Sequence, residues 1–280
     1  MMPAVPETGH ALGGSGNSPN TTSYPHGRAW RAMSALRLIQ MTDPHLYADR
    51  SGRLRGVETY GALMRVIEHA RQNHWPCDGV LATGDLVQDD PGGYATFRAA
   101  FDSLGVPIYC IPGNHDDLAA MRAALAGPPY QLGGTLRKGN WQVVLLDSCI
   151  DGAAGGHLSR QSLAALETTL TAGRSLNTLV CLHHQPIPMG SRWLDHVGLE
   201  NAPEFLAALD RHSTVRGVLW GHVHQAYDGD RKGVHYMATP STCAQFMPGS
   251  DEFEIDQRPP GYRWLELAAD GTISTRVVWL

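Results

Sequence analysis

From Leu36 onward, short runs rich in apolar residues alternate with stretches in which apolar positions recur at helical spacing. Leu36–Thr42, Gly79–Thr83 and Pro107–Ile111 have strand length, and Glu58–Gln72 and about Gly93–Ser103 lie between them with the helical pattern. The resulting β-α-β-α-β order predicts an α/β fold. Further strands are expected at Trp141–Leu146, Thr178–Leu182, Gly217–Trp220, Val234–Ala238, Gly261–Ala268 and Ile273–Trp279. Helices are expected over Leu118–Ala126, Gln161–Ala172 and Pro203–Arg211, with Ser159 and Asn201 as N-caps. No helical pattern separates the last strands, which predicts mixed rather than purely parallel sheets.

Composition narrows this picture. Among the 280 residues, the stretch through Trp30 is rich in Gly and Pro, and its aliphatic side chains are Val5 and Leu12. Such a segment cannot bury a core and has no signal-peptide core, so residues 1–34 read as a disordered tail on a single domain spanning 35–280. No apolar stretch approaches the ~18 residues of a membrane span. A net charge of −5 without a Lys/Arg run argues against a nucleic-acid polymer as partner. Five scattered cysteines (Cys77, Cys110, Cys149, Cys181 and Cys243) resemble neither a disulfide framework nor a metal knot, so a reducing, cytoplasmic setting is expected.

The chemistry collects where strands end. Thr42-Asp43-Pro44-His45 follows the first strand, Gly84-Asp85 the second and Gly113-Asn114-His115-Asp116 the third, while His183-His184 and Gly221-His222-Val223-His224 follow two later ones. In an extended segment, residues two apart point to one side, so Asp43 with His45 and His222 with His224 are expected to act as pairs. Any one of these is an ordinary turn carboxylate or surface histidine. Five strand ends each delivering Asp, Asn or His are another matter, because the carboxyl ends of strands in α/β sheets are where sites form.

The donor set mixes carboxylate and amide oxygens with imidazoles and has no thiolate, which suits Fe, Mn or Zn better than a soft metal or calcium. Seven ligands exceed what one such ion takes. Two divalent ions about 3.5–4 Å apart, sharing Asp85, would use them. Their four positive charges exceed the two negative charges of Asp43 and Asp85, so the site calls for an anion. Water bridging the ions would be acidified and able to attack phosphorus in line.

The ordered set Asp43-x-His45, Gly84-Asp85, Gly113-Asn114-His115-Asp116, His183 and Gly221-His222-x-His224 resembles the calcineurin-like metallophosphoesterase signature. The flanks resemble its bacterial 3′,5′-cyclic AMP phosphodiesterases: Gln40 to Leu46, Trp193-Leu194-Asp195 with Leu199 and Asn201, Ala238 to Cys243 with Gln245-Phe246, and Pro260-Gly261-Tyr262-Arg263. The likeness extends from about Arg37 to Leu280. It implies a four-layer α-β-β-α sandwich of two facing mixed β-sheets, with a dinuclear site at the strand ends. By position, Asp43, His45, Asp85 and His224 would hold one ion, and Asp85, Asn114, His183 and His222 the other. The resemblance favours His183 over His184, which the residues alone leave open. His115 would protonate the leaving oxygen, oriented by Asp116, and Asn114, His115 and His45 would face the phosphate. The implied reaction is hydrolysis of cyclic AMP to 5′-AMP by a monomer or homodimer, lowering a second messenger.

Bland readings attach to the neighbours. Asp89 and Asp90 read as turn or cap residues beside Pro91-Gly92-Gly93. His69 and His74 read as cations opposing a helix dipole. His157 and His196 carry no assignment. Trp193 and Asn201 are open between lining the rim for a nucleobase and plain packing. Two other functions remain: a phosphodiesterase for glycerophosphodiesters or other small phosphate esters, and a metal-binding interaction module on the same fold.

Overall fold

The computed structural model describes residues 35–280; the expected tail over residues 1–34 lies outside the described residues. The sheet strands run through positions that are apolar on both faces, and this sorts the side chains by parity. Leu36 and Leu38 point one way from the Leu36–Met41 strand, Ile39 and Met41 the other; Leu81 opposes Val80 and Ala82, and Tyr109 and Ile111 oppose Ile108 and Cys110. Leu179 and Cys181 similarly oppose Val180, and Leu219 opposes Val218 and Trp220.

Two six-stranded sheets result. The first runs in the order Ile273–Trp279, Gly261–Leu267, Leu36–Met41, Gly79–Thr83, Ile108–Ile111, Tyr130–Leu132, parallel from Leu36–Met41 to its far edge and antiparallel on the other side. The second runs Tyr227–Arg231, Val234–Ala238, Val215–Trp220, Asn177–Cys181, Trp141–Leu145, Gly134–Lys138, with a parallel centre and an antiparallel strand at each edge. One apolar core, including Leu38, Leu81, Trp141, Leu219, Met237 and Leu265, lies between the sheets. A second joins the outer face of the first sheet to the helices Thr59–His74, Gly93–Phe101 and Leu118–Ala124. A third joins the other outer face to Arg160–Ala172 and Ala202–Leu209. This is the four-layer α-β-β-α arrangement. Among the described residues, no helix is long and apolar enough to cross a membrane.

Some local expectations differ. Ser159 caps its helix, its hydroxyl accepting from the Ser162 N–H at 3.0 Å, but Asn201 does not. Its amide instead clamps the Leu158 backbone, accepting at 2.9 Å and donating at 2.8 Å, so its place is structural. His69 and His74 meet the buried Tyr262 hydroxyl at 3.0 and 2.7 Å. Burial and Arg276 lower the pKa of His74, and its Nε2 faces the Arg276 guanidinium at 3.1 Å, so the ring is taken up in a hydrogen-bond chain with Tyr262 and Arg276. The five cysteines are free.

Candidate metal centre

The parallel centres of both sheets present their strand ends to one place, and the loops leaving them carry Asp43, His45, Asp85, Asn114, His115, His183, His184, His222 and His224. Asp43, His45, Asp85 and His224 each offer a ligand atom within 4.8 Å of the others, and all four are buried. His183, His184 and His222 form a second such group. Asp85 stands between them: its Oδ2 lies 3.7 Å from His45 Nε2 and 3.5 Å from His183 Nε2. Asn114 Oδ1 lies 3.3 Å from the same His183 nitrogen. The expected ligand residues are therefore adjacent to one another, with His184 beside them.

How the chain presents them differs from the extended pairs expected above. Asp43, His45, Asp85, His222 and His224 have φ of 53°, 46°, 49°, 65° and 48°, the left-handed region that side chains with a Cβ seldom occupy. An extended segment would lay Asp43 and His45 along a strand edge. The left-handed turns instead fold each loop so that successive donors converge, strain that persists because the surroundings fix it. Part of that fixing is visible: Asp43 N–H donates to Gly84 O at 3.1 Å and His45 N–H to Asp85 O at 3.0 Å. The His222 N–H donates to Asp43 Oδ1 at 3.0 Å, and the Ser241 hydroxyl to Asp43 O at 2.6 Å. Gly84, at φ 104°, has no room for a Cβ because the His183 ring fills that space.

Imidazole orientation follows the same logic. His183 Nδ1 donates to Thr83 O at 2.9 Å and His224 Nδ1 to Ala244 O at 2.7 Å, which leaves each Nε2 as the ligand atom. Phe246 stacks on His224 at 4.0 Å and 5°, fixing that ring from its other face. His184 Nδ1 meets the Ser148 hydroxyl at 2.8 Å.

The electrostatics fit cations. Burial raises the Asp43 carboxyl, but the hydrogen bond and charge of His224 outweigh it and hold the group below its ordinary value. Burial likewise opposes ionisation of Asp85, and His183 and His45 together hold it well below the usual range. Burial alone would lower His183, yet Asp85 beside it pushes it up to about 9. Burial brings His45 down to about 4, and burial with the neighbouring His183 brings His222 down to about 3. Buried carboxylates so placed require compensating positive charge. His45 Nδ1, His222 Nε2 and His184 Nε2 are buried without a hydrogen-bond partner, which the general satisfaction of buried polar groups makes unusual. Ionised oxygens, the imidazoles of His45 and His222 with their pKa values pushed down, and orphaned nitrogens in one cluster fit a pair of divalent ions.

His115 lies at the rim, its side chain 33% exposed and its ring 5.3 Å from that of His45. The expectation that Asp116 orients it is overturned. Asp116 accepts from the backbone N–H groups of Gly113 (2.9 Å), Leu86 (3.1 Å) and Val87 (3.3 Å) and from the Tyr94 hydroxyl (2.9 Å), so both its oxygens are engaged in joining two ligand loops. Burial and the nearby Asp85 charge push its carboxyl up to about 7. The residue that does meet His115 Nδ1 is Asp89, at 3.0 Å, with the Gln88 amide at 2.9 Å. Asp89 was read as a turn former, and at φ 50° it is one; the same turn aims its carboxylate at the imidazole. Its position directly after the Asp85 loop was the available signal. Trp193 packs edge-on against Phe246 and Phe253, both at 5.3 Å. His157 pairs with Glu200 at 3.6 Å, and His196 Nδ1 donates to Arg192 O at 2.6 Å.

Comparison with known proteins gives three findings. The model of the calcineurin-like phosphoesterase family matches residues 36–226. Over 245 residues the chain is 39% identical to the 3′,5′-cyclic adenosine monophosphate phosphodiesterase CpdA of Pseudomonas aeruginosa, covering 87% of this chain and 90% of that one. With the CpdA of Escherichia coli (strain K12) the identity is 40% over 244 residues, covering 86% and 89%. Among solved structures, a dimetal phosphatase from Danio rerio superposes with a TM-score of 0.63 at 14% identity, over 88% of this chain and 99% of that one.

Proposed function

Since the chain belongs to the calcineurin-like phosphoesterase family, we propose that it hydrolyses 3′,5′-cyclic AMP to 5′-AMP, as the named activity of relatives about 40% identical over most of its length suggests. The observation that carries this reading is Asp85 Oδ2 standing between His45 and His183, a carboxylate placed to serve two ion positions at once.

Asp43, His45, Asp85 and His224 would hold one divalent ion, and Asp85, Asn114, His183 and His222 the other, with iron or manganese suiting this donor set and zinc also accommodated. When bound, the ions supply an acidified water as nucleophile and neutralise the charge gathering on the phosphoryl oxygens. The chain's own part is to place and protonate. Asn114, His115 and His45 line the position of the phosphate. Asp89 occupies His115 Nδ1 and so leaves Nε2 facing the leaving oxygen. As the bond from phosphorus to the 3′ oxygen breaks, His115 delivers a proton to that oxygen; the water oxygen forms the new bond to phosphorus and the phosphate stays on the 5′ carbon. Residues 35–280 would act as a single catalytic domain in the cytoplasm, as a monomer or homodimer, on a cyclic nucleotide and not on a nucleic-acid polymer.

The test is turnover of cyclic AMP, cyclic GMP and a 2′,3′-cyclic nucleotide after metal stripping and reloading with manganese or iron. The expected product from cyclic AMP is 5′-AMP; cleavage of glycerophosphodiesters in preference to every cyclic nucleotide would overturn the reading.

A further inference from the structure

A cavity of about 570 Å³ opens beside Asn114 and His115 and extends along Pro91, Pro112, Cys149 and Ile150. That volume lies in the range of small-ligand pockets. Its position relative to His115 gives it a use. In an in-line displacement the leaving oxygen departs away from the nucleophile, so a proton donor at that oxygen marks the side on which the rest of the substrate lies. For a 3′ leaving oxygen that remainder is the nucleoside, and the space beyond His115 is this cavity.

Its polar lining is one-sided. Six carboxylates border it, of Asp89, Asp90, Asp116, Asp117, Asp147 and Asp151, and no Lys or Arg does. Four have other work. Asp89 meets His115, and Asp116 holds the loop backbones. Asp90 accepts from the Ala48 and Gly92 N–H groups at 2.7 and 3.0 Å, and Asp117 from the Ala120 N–H at 2.9 Å. Asp147 uses Oδ1 for the Cys149 N–H at 3.0 Å and keeps Oδ2; Asp151 accepts from no described donor. Ionised carboxylates can only accept, so what they recognise is a donor.

Resting on the cyclic-nucleotide reading above, we infer that Asp147 and Asp151 form the nucleoside subsite and select substrates by hydrogen-bond donors, the ribose 2′-hydroxyl and an exocyclic amine of the base. Pro91, Pro112 and Ile150 supply apolar surface for the ring system. A carbonyl in place of the amine would face a carboxylate, and a second phosphate would meet negative charge with no cation to offset it. The subsite therefore favours substrates whose single charge sits at the metal pair.

The experiment uses the full chain loaded with manganese and four diesters: cyclic AMP, cyclic inosine monophosphate, which replaces the amine by a carbonyl, 2′-deoxy cyclic AMP, and bis(p-nitrophenyl) phosphate, which has no nucleoside. Wild type is expected to prefer cyclic AMP over at least one of the two nucleotide analogues by about tenfold in kcat/KM, the size of a hydrogen bond to a charged group at a partly exposed site. Asp151→Asn or Asp147→Asn should bring that preference towards parity and lower the ratio of cyclic AMP to bis(p-nitrophenyl) phosphate by about tenfold. Wild-type ratios in both variants would overturn the inference. So would a loss of the cyclic AMP preference in Trp193→Ala or Phe253→Ala instead, which would put the nucleoside over the aromatic patch beside His224. Cleavage of bis(p-nitrophenyl) phosphate without any cyclic nucleotide would overturn the substrate reading itself, and this inference with it.

Discussion

Asp43, His45, Asp85, His222 and His224 all sit at positive φ, and so does Asp89 behind His115. The residue types were legible in the sequence, because Asp, Asn and His at five strand ends announce a cation site whatever the backbone does. The geometry was not, since an Asp-x-His pattern reads the same in an extended segment and in a left-handed turn. For the same reason Asp89 takes the role expected of Asp116: Asp116 follows His115 in its own loop and Asp89 stands in the neighbouring one, and the turn at Asp89 determines which carboxylate reaches the ring. This yields a paired prediction. Asp89→Asn should lower kcat about tenfold with little change in melting temperature, because the imidazole loses its orienting charge while the fold keeps its contacts. Asp116→Asn should instead lower the melting temperature, since it weakens bonds to three backbone N–H groups; thermal melts beside steady-state kinetics separate the two. His115→Ala should leave metal content unchanged by elemental analysis while kcat falls by a factor on the order of 10²–10⁴.

At the scale of elements, what positions the site was legible and what trims it was not. Gly79–Thr83, Val234–Ala238 and Ile273–Trp279 appear with the expected bounds, and the other expected strands fall within a few residues of theirs. Strands buried on both faces write long apolar runs. Two of the edge strands do not: Gly134–Lys138 and Tyr227–Arg231 carry polar residues and small hydrophobic faces, so pairing with a neighbour, and not their own pattern, makes them strands. One of these edges is tied down electrostatically. Asp210, at the end of the Ala202–Leu209 helix, accepts from Arg231 at 2.6 and 2.9 Å and from Lys232 at 2.7 Å. Those hydrogen bonds hold its carboxyl below the ordinary 3.8. A depressed carboxyl contributes stability that is present above its unfolded value and is lost as pH falls through its folded value. Asp210→Asn should thus lower the melting temperature by about 3 °C near pH 7, and the gap should close only below about pH 4. A gap that persists unchanged in acid would contradict the ion-pair account.

At the scale of the whole molecule, the two sheets must stay in register for the halves of the centre to meet, since Asp43 and Asp85 leave the first sheet and His183, His222 and His224 the second. A buried polar chain spans the gap behind them. Gln40 donates to Thr83 at 2.7 Å and to Trp220 O at 3.1 Å and accepts from Thr239, to which the fully buried Arg263 also donates. Arg263 is held in turn by Asp228 at 2.8 and 2.9 Å. Sequence reasoning placed Gln40 and Arg263 only through family likeness; the hydrogen bonds give them a physical role, because an unpaired member of such a chain is costly and a sheet slip would leave several unpaired. The central claim is that this alignment makes one centre for two ions with Asp85 between them. Anomalous diffraction from crystals loaded with manganese tests it most directly. The account predicts two peaks about 3.5–4 Å apart, one against Asp43, His45 and His224 and one against Asn114, His183 and His222, both touching Asp85. A single peak, or a second ion held by His184 away from Asp85, would contradict it.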